Sequence, residues 1–253
     1  DALLAELLQG AGPRRTAALK SLAGKRPPEA LRPGLRACLK DGDREVRLAA
    51  ANLFKSYAAL EEEDVARLGE LLRDVDLHVF QAAVAVLARG GPTAMKLLGE
   101  ELRRRPPNRY SSPALLRGIA HFGPEAHGWL DTVDQAGLKA PELALQAHHA
   151  RARITNQTGP LIEACRAVLR EDLKRDRDVQ IARKKEALQY LTEAGPEAAA
   201  AVPEVLALPP YNACEEERTN MLMALGVRGA AAIKQLYRHP AEGLRDAVGR
   251  QLT

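Results

Sequence analysis

Aromatic residues are scarce in this chain, whose 253 residues include one Trp, five Tyr and three Phe. A core built around large rings is therefore excluded, and Ala, Leu and Val supply most of the apolar mass. Because 46% of the residues are hydrophobic and 28% are charged, the chain is neither disordered nor collagen-like. Small apolar side chains favour many helix–helix contacts. No apolar run approaches the ~20 residues of a membrane span, so no transmembrane helix is predicted.

Cysteine is rare too, and the three cysteines lie far apart at Cys38, Cys165 and Cys214. Their odd number and wide spacing exclude a disulfide framework, so each is predicted to be a small buried side chain. This usage favours a reducing, cytoplasmic compartment. Because the first residue is Asp, we expect a processed product or an excerpt of a longer chain. The alternative that the chain is an exported mature domain is retained, since a removed signal peptide leaves no trace.

Signatures of catalysis and of metal binding are missing from the sequence as well. It has no nucleophile elbow, no phosphate-binding loop, no dinucleotide fingerprint and no H-E-x-x-H. The adjacent His148 and His149 would point about 100° apart on a helix, which is a poor arrangement for sharing a metal. We therefore predict that the chain is not an enzyme and binds no metal or cofactor.

What the sequence does contain is a repeat marked by helix boundaries. Gly-Pro pairs occur at 91–92, 123–124, 159–160 and 195–196, and Gly229-Ala230 continues the series. The steps between Pro92, Pro124, Pro160, Pro196 and Ala230 are 32, 36, 36 and 34 residues. Glycine adopts the left-handed backbone conformation at a helix end with little steric strain, and proline is tolerated at the first position of the next helix. The period therefore predicts a repeating helical unit.

Each period contains two amphipathic segments joined by a short polar turn such as Asp41-Gly42-Asp43 or Asp74-Val75-Asp76. Asp43 and Asp76 stand where a helix N-cap is expected. The first helices of the pairs are predicted at 2–9, 28–40, 61–73, 92–104, 124–137, 160–172, 196–207 and 230–238. The second helices are predicted at 13–23, 44–57, 77–90, 109–122, 142–156, 177–193, 214–226 and 241–251.

The stretch from Asp41 to Leu53 resembles the turn and second helix of a HEAT repeat, and the bacterial PBS-lyase HEAT-like form is most similar. The stretch from Arg183 to Pro203 resembles it too, and the resemblance extends over nearly the whole chain. It implies an all-α, right-handed α-solenoid of about seven antiparallel helix pairs, which forms a single domain over residues 1–253. It also implies that the second helices line the concave surface. The likeness to phycobilin lyase subunits is at the level of the repeat, and no chromophore-handling residue is identified.

Charge is divided unevenly between the two sets of predicted helices. The chain carries a net charge of +4, but the second helices alone hold 18 basic and 10 acidic residues. The expected concave face is therefore basic, which suits an acidic partner. The candidate partner-binding residues are Arg117, His148, His149, Arg151, Arg153, Arg183, Lys184 and Lys185. An alternative for individual bases is a structural pairing with the turn aspartates, and the resemblance implies such a pairing for Arg47.

The function predicted from these features is a protein–protein interaction scaffold that binds an acidic protein or peptide on a basic concave face. One alternative is a nucleic-acid-binding array. It includes a DNA glycosylase-like enzyme, for which the candidate residues are Trp129, Tyr110, Tyr190 and Asp131 or Asp134. Trp129 has an alternative interpretation as a packing residue between repeats. A further alternative is a structural spacer domain within a larger protein. The oligomeric state is left open.

Overall fold

A computed structural model describes residues 2–10, 12–171, 177–208, 214–226, 229–230 and 232. Within these ranges the chain contains fourteen α-helices and five short 3-10 helices and no β-strand, which confirms the all-α prediction. The α-helices are α1 (Ala2–Gln9), α2 (Gly12–Leu22), α3 (Arg32–Cys38), α4 (Arg44–Phe54), α5 (Glu62–Glu70), α6 (Leu77–Leu87), α7 (Gly91–Arg104), α8 (Ser112–Ala120), α9 (Leu130–Lys139), α10 (Ala144–Thr155), α11 (Gly159–Arg170), α12 (Arg177–Ala194), α13 (Val202–Ala207) and α14 (Glu215–Ala224). The predicted pair at 230–238 and 241–251 lies almost entirely outside the described residues.

The helices form successive pairs, as the HEAT-like repeat predicts. In the first unit, consecutive helices pack within a pair, and α2, α4, α6 and α8 each pack on the second helix of the next pair. In the second unit, α11 packs on α12, and α12 packs on α14. Contacts between residues divide the chain into two compact units, residues 1–155 and 156–253. In the described residues, the first unit holds the five pairs from α1 to α10. The second unit holds the two pairs from α11 to α14.

The helix boundaries follow the capping chemistry read from the sequence. The Asp43 carboxylate accepts a hydrogen bond from the Glu45 amide at 2.9 Å, and the Asp76 carboxylate accepts one from the His78 amide at 2.9 Å. The backbone is left-handed at Gly91, Gly123 and Gly195, as the Gly-Pro marks predict. At the third Gly-Pro mark, 159–160, the left-handed residue is instead Asn156 (φ 56°), and Gly159 begins α11. Asparagine tolerates this conformation because its short polar side chain bonds locally.

The core of the first unit is built mostly from small aliphatic side chains, with Phe54, Tyr57 and Phe80 as its largest buried rings. Trp129 packs against this core and lies over Gly99 of α7, where a Cβ atom would overlap the indole ring. The interpretation of Trp129 as a packing residue between repeats is therefore confirmed. Glycine at position 99 allows the close approach of the ring to the helix.

An arginine–aspartate ladder connects successive turns of the first unit. Arg15 pairs with Asp41, and the Arg47 guanidinium donates to Asp74 at 2.7 and 3.1 Å and to the Asp41 carbonyl at 2.8 Å. The predicted structural role of Arg47 is therefore confirmed. The hydrogen bond that Arg47 donates to Asp74 is the first cause that raises the pKa of Arg47, and burial opposes it.

The ladder ends one repeat later because the residue types change. Phe80 stands where α4 has Arg47, and Asn108 stands where the earlier turns have aspartate. The Asn108 side chain still accepts from the Tyr110 amide at 3.0 Å, as Asp74 does from the Asp76 amide at 2.9 Å. The Arg105 guanidinium lies 4.9 Å from the centroid of the Phe80 ring, so a cation–π contact occurs where α4 has the ion pair of Arg47.

Candidate protein-binding surface

Two predicted site residues, Arg117 and Arg153, occupy equivalent positions in adjacent second helices. They are 36 residues apart, the same step that separates Pro124 from Pro160. Arg117 is the one exposed residue of α8, and Arg153 is the one exposed residue of α10. Each lies between two buried neighbours, as do Asn52 in α4 and Ala85 in α6. Because α8 packs on α10, the two arginines belong to the same exposed face of the first unit.

Neither Arg117 nor Arg153 forms an ion pair or a side-chain hydrogen bond within the described part of the chain. The helices that carry them, and α6 beside α8, contain no Asp or Glu. Their positive charge is therefore directed to solvent. This distinguishes them from Arg47, whose charge is compensated by Asp74.

Two further side chains extend this face along α8. Arg109 precedes the helix, stacks on Tyr110 with its guanidinium 4.9 Å from the ring centroid, and donates to the Tyr110 hydroxyl at 2.7 Å. His121 is exposed at the C-terminal end of the helix. We call Arg109, Arg117, His121 and Arg153 the basic face. Arg109 and His121 were not among the predicted site residues, although their spacing along one side of α8 is visible in the sequence.

The other three candidates on α10 point elsewhere. Arg151 forms an ion pair with Asp134 of α9, so its charge is compensated within the helix pair. His149 is buried. His148 is half-buried, and its Nδ1 atom is enclosed without a hydrogen-bond partner. The structure therefore places these side chains at helix–helix contacts, whereas Arg117 and Arg153 reach solvent.

The three candidates in the second unit are also engaged in internal contacts. Arg183 pairs with Glu171 at 3.0 Å, and Lys185 pairs with Glu217 at 3.0 Å. The hydrogen bond that Lys185 donates to Glu217 is the main cause that raises the pKa of Lys185. Lys184 is buried and donates to the carbonyls of Leu169 and Glu171 at 2.9 and 2.6 Å. Its predicted position on a partner-binding surface is therefore corrected, because its ammonium group satisfies carbonyls at the end of α11.

The residues proposed for a glycosylase-like site are divided between the two units, and most of them have other roles. Trp129 packs on α7, and Asp134 is paired with Arg151. Tyr190 is buried in the second unit and donates to Glu186 at 2.8 Å. Tyr110 and Asp131 are exposed in the first unit. These placements leave the alternative without an assembled pocket of aromatic side chains and a carboxylate.

The described residues contain no group of three or more His, Cys, Asp or Glu that would hold a metal ion. All three cysteines are free and buried. Burial raises the pKa of the Cys38 thiol to about 11 and that of the Cys165 thiol to about 12. These two thiols therefore stay protonated near neutral pH and are poor nucleophiles. No described helix combines the length and the apolar character that crossing a membrane requires.

This chain is similar in fold to solved helical-repeat structures, of which one is a lyase complex. That structure is the complex of CpcE and CpcF of phycocyanin lyase from Nostoc sp. PCC7120, with 20% sequence identity and a TM-score of 0.60. The similarity covers 93% of this chain and 92% of that chain. An engineered protein covers 100% of this chain and 73% of its own at 19% identity, but its TM-score of 0.41 adds no argument. No family model matches the sequence, and no curated protein matches it.

The match to the lyase structure confirms the HEAT-like repeat fold that the sequence resemblance predicts. It also corrects the prediction that the chain is not an enzyme. That prediction rested on missing catalytic motifs, yet a lyase is built on the same fold. The absence of such motifs in a helical array therefore does not exclude an enzymatic role.

Proposed function

We propose that this chain is a helical-repeat protein that binds an acidic segment of a partner protein on the basic face of its first unit. The proposal rests on the exposure of Arg117 and Arg153 and on their lack of carboxylate partners within the described residues. Both are exposed at equivalent positions of adjacent helices, and neither has a counter-charge within the described residues. Exposed cations without an ion-pair partner attract acidic ligands and speed their association.

The spacing of the two arginines suggests the form of the acidic segment. Packed helices lie roughly 8–10 Å apart, so equivalent positions on α8 and α10 are separated by about that distance. A polyproline II segment rises about 3.1 Å per residue with three residues per turn. Acidic side chains at positions i and i+3 of such a segment therefore emerge on one side about 9 Å apart. We expect a partner segment of this form to pair one carboxylate with each arginine.

A protein partner is favoured over nucleic acid by the comparison with the lyase structure, which is a complex of two protein chains. The basic face also has one exposed aromatic ring beside it, Tyr110, whereas single-stranded nucleic acid binding normally uses several stacking platforms. The proposal includes a reducing, cytoplasmic location, which is supported by the three free, buried cysteines.

The proposal is tested with a fluorescein-labelled peptide that carries glutamates at positions i and i+3, and with a second peptide in which both are glutamine. Fluorescence anisotropy at low salt should show binding of the glutamate peptide alone. The double substitution Arg117→Glu and Arg153→Glu should weaken this binding by about tenfold or more, since two attractions become repulsions. The control variant carries Lys25→Glu and Lys96→Glu, which change the net charge equally at exposed lysines outside the basic face.

Equal loss of affinity in both double variants would refute the site, because it would indicate a response to net charge alone. Oligonucleotides of DNA and RNA are titrated in parallel. Their tight, strongly salt-dependent binding, without binding of the peptide, would replace the proposal with the nucleic-acid alternative. If neither probe binds at low salt, the proposal is wrong and the spacer alternative is favoured.

A further inference from the structure

A cavity of about 200 Å³ opens in the first unit, away from the exposed arginines of α8 and α10. It lies between the C-terminal end of α7, the segment that follows this helix, and α9. Leu102 and Ala136 form part of its apolar wall, and Arg103, Arg105 and Lys139 line it with three positive charges. Asp131 is the one carboxylate in the lining. The cavity therefore has an excess of positive charge.

The three cationic side chains that line the cavity differ in the number of hydrogen bonds and ion pairs that they form within the described residues. Arg105 is held in place by Glu101 and by the Leu72 carbonyl. Arg103 has no ion pair with any residue that the structure describes, and its guanidinium lies 5.7 Å from the centroid of the Trp129 ring. Lys139 makes no ion pair or side-chain hydrogen bond within the described residues. Arg103 and Lys139 are thus available to an incoming carboxylate.

Two large exposed hydrophobic side chains belong to segments that line this cavity, and a third lies in the preceding turn. Val75, Tyr110 and Leu138 are 98%, 57% and 74% exposed, and they are the large exposed hydrophobics of the described first unit. Each lies in or beside a turn that joins the two helices of a pair. Leu138 adjoins Lys139, and Tyr110 follows the cavity-lining Pro107 by three residues.

These turns lie along one edge of the first unit. The Arg44 guanidinium donates to Asp76 at 3.1 Å, and Arg47 donates to Asp74, so the second turn is attached to the start of the preceding second helix. Arg105 then connects the segment after α7 to the Leu72 carbonyl, three residues before Val75. We call this edge, with Val75, Tyr110, Leu138 and the cavity, the turn edge. Isolated exposed hydrophobics need no explanation, but two on the segments that line a cationic cavity, with a third in the preceding turn, are characteristic of a binding surface.

We infer that the turn edge is a second docking site, which takes a partner segment carrying one carboxylate between two leucine-like side chains. The carboxylate enters the cavity and meets Arg103 and Lys139. The apolar side chains on either side of it cover Leu138 and Tyr110. Charge complementarity identifies the acidic group, and the exposed apolar side chains identify its neighbours. The inference depends on the proposed function only in that both concern a protein partner, since the two sites share no residue.

The probe is a synthetic peptide with one glutamate between two leucines in a Gly-Ser background. Binding is followed by NMR titration of ¹⁵N-labelled protein, which detects weak complexes. The amides of residues 103–110 and 131–139 should shift on titration. The double substitution Leu138→Ser and Lys139→Glu should raise the Kd about tenfold, because an attraction becomes a repulsion and an apolar contact is lost. Lys96→Glu on the exposed side of α7 is the matched control and should leave the Kd unchanged.

Two further comparisons separate this inference from the proposed function. The Arg117→Glu and Arg153→Glu variant should bind the leucine–glutamate peptide as the unchanged protein does. If this variant loses binding while Leu138→Ser and Lys139→Glu does not, the peptide occupies the basic face and the turn edge is not a docking site. Equal binding of a peptide with glutamine in place of glutamate would overturn the role of the cavity. Absence of binding at millimolar peptide would overturn the inference as a whole.

Discussion

Neighbouring residues of the same type have different roles in this molecule. Lys184 and Lys185 are adjacent on α12, but Lys184 is buried against the end of α11 whereas Lys185 is partly exposed and pairs with Glu217. Successive residues on a helix point about 100° apart, so one lysine faces the neighbouring helix when the next faces outward. A basic run in the sequence is therefore not equivalent to a basic surface.

The contrast between the two lysines leads to a stability prediction. Replacing Lys184 by Met keeps the aliphatic stem but removes the donor to two carbonyls, and should cost about 1–3 kcal/mol in the free energy of unfolding. Replacing Lys185 by Met removes an ion pair that is largely open to solvent, and should cost less than about 1 kcal/mol. Urea denaturation of both variants measures the difference. Equal costs would show that Lys184 is not a buried structural donor.

The second unit contains an ion-pair cluster that joins its first helices. Arg166 and Arg170 on α11 both donate to the Glu204 carboxylate on α13, with N–O distances of 3.0 Å from Arg166 Nη2 and from Arg170 Nε. Burial raises the pKa of Glu204, but the hydrogen bonds from the two arginines outweigh it and lower the pKa to about 2, from an ordinary value of 4.5. The ionised carboxylate therefore stabilises the packing of α11 on α13.

This cluster should make stability depend on pH in a defined window. Because the pKa of Glu204 is lower in the folded state, its contribution is fully present above about pH 4.5 and is lost as the pH falls towards 2. Glu204→Gln should reduce the free energy of unfolding at pH 7 by roughly 1–2 kcal/mol after solvent screening. The difference between this variant and the unchanged protein should shrink between pH 4.5 and 2.

Thermal or urea unfolding at several pH values tests this expectation for Glu204. The matched control is Glu163→Gln, since Glu163 also contacts Arg166 at 2.7 Å but is largely exposed. It should have little effect at any pH. A destabilisation by Glu204→Gln that persists unchanged at pH 2 would contradict the assignment.

The turns show how far element-level reasoning extends from sequence. The N-caps at Asp43 and Asp76 and the left-handed residues at Gly91, Gly123 and Gly195 are predictable because capping is local chemistry. The replacement of Gly159 by Asn156 as the left-handed residue was missed. Asparagine is common in many settings, so it is a weaker signal than Gly-Pro.

At the scale of the whole molecule, the division into two units bears on the cooperativity of unfolding. The sequence predicts a single domain, whereas residue contacts divide the chain into units 1–155 and 156–253. Stability in repeat proteins is a sum of contributions from repeats and from their nearest-neighbour interfaces, so a weak interface separates unfolding transitions. The single tryptophan, Trp129, belongs to the first unit and reports on that unit alone.

We expect the two units to unfold at different urea concentrations. Trp129 fluorescence should follow the first unit, and circular dichroism at 222 nm should follow helices in the whole chain. The two normalised curves should therefore not coincide. A Trp129→Phe variant provides the fluorescence baseline. Coincident curves with a single transition would support the single domain that the sequence predicts.

The sequence alone determined the helical architecture of this protein. Its periodic Gly-Pro marks, its N-cap aspartates and its scarcity of aromatics are local or compositional properties, and they lead directly to paired helices with small-residue contacts. The Arg47 pairing was implied by the resemblance to the HEAT-like repeat, and the contact with Asp74 confirms it.

Which basic residues face solvent was decided only by the tertiary structure. Eight candidates on second helices looked alike in sequence, yet the described contacts give Arg151, Arg183 and Lys185 carboxylate partners, bury Lys184, and leave Arg117 and Arg153 without counter-charge. The cavity near Arg103 and Lys139 also depends on side chains from two helix pairs. Such pairings join residues that are distant in sequence, so only packing of one helix on another can determine them.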